Sequence, residues 1–241
     1  MVCPLERWLD DETLQRIAKE HNLPVTAFFV ACHDHYDLRW FSPTVELNLC
    51  GHGTIAAAAV IFDYTDPSKR SVAFQTKGGT FTVVKDGRLI CLEFPVHEAV
   101  LCARPPEKLV RALGREPQEI LKAATNYLAV YSREADIRSI NPDMALLKEV
   151  DGVGAIVTAR GEEDIDFVSR YFAPKIGIPE DAATGSTHCT LAPYWSKRLG
   201  KSKFRAVQLS HRRGELVCEY LGNRIKIAGR AVRYAEGSVY L

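Results

Sequence analysis

Hydrophobic and polar positions change period several times along the chain. Leu14, Ile17 and Ala18 share one helical face, with Asp10 as a cap and Asn22 near a stop, so a helix is expected from Asp10 to about His21. Thr26–Val30 and Leu38–Phe41 read as paired strands around a polar "HDHYD" turn. After Gly51–Gly53, "TIAAAAVIF" is apolar on every side, the mark of a buried helix. "SVAFQT", "TFTVVK" and "LICLEF" are strands, with turns at Gly78-Gly79 and Asp86-Gly87. A proline-containing stretch from Pro95 to Pro106 leads into a helix that runs to Leu113 and stops at Gly114.

The second half repeats this grammar. "YLAVYS" reads as a strand, Pro142–Glu149 as a helix, and "GAIVTA" and "FVSRYF" as strands. A turn at Gly185 opens a helix to Leu199, closed by Gly200. "AVQLS", "ELVCEY", "RIKIAG" and "AVRYA" complete the chain as hairpin strands. The expected class is α+β: two pseudo-symmetric domains, each a mostly antiparallel sheet wrapped around a central helix. The expected division is residues 1–98 plus 229–241, and residues 99–228.

Two segments carry the same pattern. "RWFSPTVELNLCGHGT" (39–54) and "RYFAPKIGIPEDAATGST" (170–187) each pass from Arg-aromatic-Phe through proline to a glycine turn before a helix. Arg39 and Arg170 lie 131 positions apart, while Gly51 and Gly185 lie 134 apart, so the second copy holds three extra residues, expected around Ala182–Thr184. An internal duplication follows. Two such halves would face each other across a cleft, each presenting a helix N-terminus with free N–H groups, a setting that suits a carboxylate.

Composition narrows the partners. The 241 residues carry 31 Lys and Arg against 30 Asp and Glu, so no field of either sign favours nucleic acid or a membrane surface, and a small molecule is expected instead. No apolar run approaches the ~20 residues of a membrane span. The seven cysteines are scattered without a CxxC pair and read as free thiols of a reducing cytoplasm.

The reactive residue types cluster at the glycine turns: Cys50 and His52 in one, Asp181, Ser186 and His188 in the other. His52 sits between two glycines that clear space for a ligand. Asp181 and Ser186 could orient a histidine or a substrate amine. Gly51, Gly53, Gly185 and Thr187 are the expected substrate-binding positions around them. A Ser186/His52/Asp181 hydrolase triad is an alternative, although the second turn lacks the G-x-S-x-G elbow. Two-thiol racemisation is poorly matched, because Thr184 precedes Gly185 and Cys189 lies inside the helix. Cys32-His33-Asp34-His35 has metal-ligating types, but adjacent turn residues diverge and no second group has zinc-site spacing, so no metal is expected. No Walker or dinucleotide fingerprint occurs.

"RWFSPTVELNLCGHGTIAAA", "RYFAPKIGIPEDAATGSTHCTLAPYWSKRLG" and "FRAVQLSHRRGELVCEY" together resemble the PhzF-like family of phenazine-biosynthesis isomerases, over nearly the whole chain. The resemblance implies the diaminopimelate epimerase fold, a homodimer, and cofactor-independent proton transfer on a small carboxylate or amino-acid-like metabolite. The family's type enzyme isomerises trans-2,3-dihydro-3-hydroxyanthranilate. By motif, the binding and polarising histidine, aspartate and serine are His52, Asp181 and Ser186. The family's proton-carrying glutamate belongs in "NLSETAF"; this chain reads "NLPVTAF" at 22–28, placing Val25 there. An isopropyl group moves no proton, and general acid–base help is typically worth about 10²–10⁴-fold. That departure makes a catalytically silent binding protein of the same fold the alternative. Glu46 is no obvious substitute. The resemblance also implies a strand and a "GNPAAV"-type segment ahead of Cys3-Pro4-Leu5-Glu6, so an exposed edge and an incomplete cleft wall are expected in the first sheet.

Overall fold

The computed structural model describes residues 1–240. Its first helix, α1 (Asp11–His21), follows directly from its caps. The Asp10 carboxylate accepts the Thr13 N–H at 2.8 Å, Asp11 and Glu12 meet the positive end of the helix dipole, and Asn22 turns left-handed at φ 48°. Leu14 and Ala18 then pack on Phe28 and Phe41, one face of the hairpin formed by β2 (Thr26–Ala31) and β3 (Tyr36–Phe41). The other face of that hairpin, with Ala27, Phe29, Leu38 and Trp40, joins the main core around α2 (Gly51–Val60). Alternation of period two thus sorts each strand between two packing layers.

The two halves repeat one sequence of pairings. In the first, β1 (Val2–Leu5) runs parallel to β2, β2 is antiparallel to β3, and β3 is parallel to β5 (Ser71–Thr76). β6 (Gly79–Asp86) and β7 (Leu89–Pro95) follow as antiparallel neighbours. In the second half, β10 (Asn126–Val130) is parallel to β11 (Gly154–Arg160), β11 antiparallel to β12 (Phe167–Phe172), and β12 parallel to β13 (Lys203–Gln208). β14 (Gly214–Tyr220) and β15 (Arg224–Gly229) again follow antiparallel. The helices occupy matching crossovers. α1 stands where α4 (Glu134–Ser139) and α5 (Met144–Glu149) stand in the second half, and α2 stands where α6 (His188–Leu199) stands. This repetition is the duplication that the two matching segments predict.

α2 and α6 are the centres of the halves. Ala57 and Ala58 of α2 lie with Phe74, Val83 and Phe94, while Leu191, Ala192 and Trp195 of α6 lie with Phe167, Phe204 and Cys218. Strand β15 pairs with β14 on one side and β7 on the other, so a single sheet runs through both halves. At its ends the halves differ. β10 carries β9 (Glu119–Ala123) and then β8 (Val100–Leu101) on its outer side, whereas its counterpart β1 stands last in the strand order of the described residues.

Three expectations need correction. "AVRYA" forms no strand: β15 is already paired on both sides, leaving no edge for it, and Val232 and Tyr234 are exposed. The "HDHYD" turn is shorter than expected, because β3 begins at Tyr36 and the Cys32 N–H donates to the His35 carbonyl at 2.9 Å. The three extra residues of the second copy lie before Glu180, not around Ala182–Thr184. β4 (Glu46–Leu47) holds Glu46 in the role that Glu180 fills in the second copy, and those two positions already differ by 134.

Candidate functional site

Each turn is anchored by an arginine clasp. Arg39 reaches from β3 to Glu46 with Nε–Oε1 at 2.8 Å and Nη2–Oε2 at 2.9 Å, its guanidinium lying over Phe41. Arg170 does the same from β12, with Nε–Oε1 of Glu180 at 2.7 Å, Nη2–Oε2 at 3.0 Å, and Phe172 beneath. Two-pronged charge-assisted pairs fix geometry as well as add attraction. Glu46 also pairs with Lys77, so its carboxylate is committed to holding the turn.

The two glycine turns come together. A Cβ placed on Gly51 would lie 3.6 Å from the Gly185 Cα and 3.1 Å from the Phe94 ring. The Gly51 position is tight against Phe94, whereas a Cβ on Gly185 would meet the Gly51 Cα at 3.7 Å, so the two backbones lie within van der Waals reach of each other. Gly53 is equally constrained, since its Cβ would meet Trp40 Cδ1 at 2.8 Å and Cys50 Sγ at 2.9 Å. α2 starts at Gly51, and Gly185–Thr187 forms a 3₁₀ turn that continues into α6. Both turns thus bring first-turn N–H groups, which lack intrahelical partners, to one place.

His52, Asp181 and Cys50 meet there. His52 Nδ1 lies 3.8 Å from Asp181 Oδ2, and the Cys50 sulfur is 3.6 Å from Nε2 and 3.8 Å from Nδ1. Burial works against the imidazolium, but the neighbouring Cys50 sulfur and Asp181 carboxylate outweigh it and raise the His52 pKa to about 9. Cys50 also caps α2, accepting the Gly53 N–H at 3.4 Å. Asp181 is buried. Its Oδ2 accepts the Thr184 hydroxyl at 2.6 Å, while Oδ1 has no hydrogen-bond partner among the described residues. Gln208 braces this loop, donating to the Asp181 carbonyl at 2.6 Å and accepting the Thr184 N–H at 2.7 Å. Gln208 had no motif to reveal it; only β13 pairing beside β12 brings it here.

The remaining expected residues divide by exposure. Ser186 is half-buried at the mouth of the second turn, in the position that corresponds to His52. Thr187 points inward, its hydroxyl donating to the Thr184 carbonyl at 2.8 Å. His188 is fully buried beside that carbonyl (Nδ1–O 3.0 Å), and burial pulls its pKa down to about 4, so it supports the turn as a neutral ring. Cys189 is buried inside α6, where burial pushes its thiol up to about 12; no second thiol matches Cys50. Val25 is buried in the core, and the Met1 nitrogen donates to its carbonyl at 2.9 Å. Away from the turns, Cys32, His35 and Asp37 place ligand atoms within 4.8 Å of one another, joining two residues of the Cys32–His35 stretch to Asp37 and leaving out His33 and Asp34.

Among the described residues no helix is long and apolar enough to cross a membrane. The profile of the family described as phenazine biosynthesis-like protein matches residues 1–237. An uncharacterized isomerase of Pseudomonas aeruginosa is 44% identical over 240 residues, spanning 100% of this chain and 92% of that protein. The crystal structure of a PhzF-family phenazine biosynthesis protein from Enterococcus faecalis superposes with a TM-score of 0.92 at 40% identity, covering 100% of this chain and 92% of that one. A predicted epimerase of Pseudomonas aeruginosa shares the fold alone, with a TM-score of 0.72 at 15% identity over 95% of this chain and 88% of that one. The duplicated halves, the two meeting turns and these likenesses lead to one conclusion: the chain belongs to the PhzC-PhzF family of phenazine biosynthesis-like proteins.

Proposed function

We propose that the protein is a cofactor-independent isomerase that moves a proton on a small carboxylate or amino-acid-like metabolite held between the Gly51 and Gly185 turns. The observation that carries this reading is the contact of the two turns with His52 and Asp181 at their junction. In this scheme amide hydrogens of both helix starts grip the substrate carboxylate. The unpartnered Asp181 Oδ1 takes an N–H of a substrate amine, and Ser186 donates its hydroxyl from the same turn, facing His52 of the other. With Val25 in place of a carboxylic acid, the proton travels through His52. The imidazolium delivers a proton to one carbon, and the Cys50–His52 pair accepts one from another, so protons balance and no redox partner is required.

A second reading, a catalytically silent ligand-binding protein of the same fold, is favoured by Val25 itself, whose buried side chain carries no titratable group. Solvent-deuterium incorporation separates the two. Exchange into small amino-acid-like carboxylates by the natural chain, lost in His52→Gln, is the expected result. Binding without exchange, together with exchange gained on Val25→Glu, would reject the catalytic reading in favour of the silent one.

A further inference from the structure

The tip of the β2–β3 hairpin lies apart from the turns and has chemistry of its own. Ala31 pairs with Tyr36, so Cys32 and His35 stand opposite each other at the next position, joined by the 2.9 Å Cys32 N–H to His35 carbonyl bond. Asp37, the second residue of β3, brings its carboxylate to within 3.2 Å of the His35 ring. Their sulfur, nitrogen and oxygen ligand atoms fall within 4.8 Å of one another, and all three residues are half-buried and reachable by solvent. Two ligands of one tetrahedral zinc ion, bound at about 2.0–2.2 Å, sit roughly 3.3 Å apart. His35 Nε2 and Asp37 Oδ1 are 3.2 Å apart.

A second observation concerns the other ring nitrogen. His35 Nδ1 is 2.7 Å from Asp34 Oδ1. A carboxylate on the far nitrogen of a metal-bound imidazole fixes the tautomer and the ring plane, and leaves Nε2 to the ion. Here that orienting partner is already in place. Among the described residues, neither Asp34 nor Asp37 pairs with any lysine or arginine, so no other cation competes for the cluster.

We propose that the hairpin tip is a zinc-binding site, with Cys32 Sγ, His35 Nε2 and an Asp37 carboxylate oxygen as protein ligands and Asp34 as the orienting carboxylate. One thiolate, one imidazole and one carboxylate match the ligand preference of Zn²⁺, and water completes the fourth position. The ion binds with release of the Cys32 thiol proton and the second His35 proton, so affinity falls as pH falls. Its structural effect is to tie the ends of β2 and β3 together beyond their last ladder bond.

The test is titration of the metal-free full chain with Co²⁺, followed by displacement with Zn²⁺. The expected result is one equivalent of cobalt giving a thiolate-to-cobalt charge-transfer band, bleached by zinc. Cys32→Ala and His35→Gln should each abolish it, and Asp34→Asn should weaken binding about 10–100-fold. Cys50→Ser should leave it unchanged, which separates this site from the Cys50–His52 pair. The Cys32, Asp34 and His35 variants lie at the hairpin tip away from the core, and unaltered circular dichroism of these and of Cys50→Ser verifies folding. No band with cobalt in excess, a band that survives Cys32→Ala, or a band lost in Cys50→Ser would each overturn the proposal.

Discussion

Gly53 is a position beside His52 where one added methyl group has no room. Its Cβ would press on Trp40 and the Cys50 sulfur at under 3 Å, and both are buried with little room to retreat. Gly53→Ala should therefore destabilise the fold by about 1–3 kcal/mol in a urea titration, as overpacking does elsewhere. That the chain clears space at this turn was legible from "CGHG", although at Gly53 the space is taken by Trp40 and the Cys50 sulfur. The Cys32–His35–Asp37 cluster was not legible, because the face on which a strand residue points depends on register. Reading β3 from Leu38 rather than Tyr36 leaves Asp37 in the turn and hides the closure that sets His35 opposite Cys32 and beside Asp37. Gln208 was hidden for a related reason: its partners, Asp181 and Thr184, reach it only through the parallel pairing of β12 and β13.

At the scale of elements, strong local signals were legible and weak ones were not. α1 announced itself through its caps and apolar face. Removing the cap with Asp10→Ala should destabilise the helix start, read as a lower midpoint in thermal or urea unfolding. The strands β5, β6 and β7 were equally clear, since β5 and β6 alternate, β7 is a short apolar run, and turns separate them. β9 escaped notice because "EILKA" reads as readily for a helix as for a strand, and only its pairing with β10 decides. β1 is four residues long and contains Pro4, which suits a terminal strand better than a central one. "AVRYA" shows the opposite failure, a strand-like pattern with no edge left to receive it. The shifted insertion has a physical cause as well. In both copies the arginine–glutamate clasp keeps a fixed relation to the glycine turn, so added length is tolerated only ahead of the glutamate, where the second copy forms the 3₁₀ turn Pro174–Ile176.

For the molecule as a whole, the junction of the halves makes stability depend on pH. His52 binds its proton more tightly when folded, at about 9 against an ordinary value near 6.5. A raised pKa gives stability that is fully present below about pH 6.5 and is lost as pH rises through about 9. Melting temperatures of the natural chain and His52→Gln should accordingly differ most at pH 6 to 6.5 and converge toward pH 10; a difference that grows with pH would contradict the assignment. The pseudo-symmetry was legible in the two matching segments, but the way the halves join was not, because the partners of β15 lie at both ends of a long chain interval. That strand is bonded on each flank, to β14 and to β7. No unpaired seam separates the walls, so spreading them like jaws would require breaking a ladder of main-chain bonds. The placement of the two turns is accordingly cast when the polypeptide folds, and the substrate of the proposed isomerase would meet a mould whose alignment was settled before it arrived.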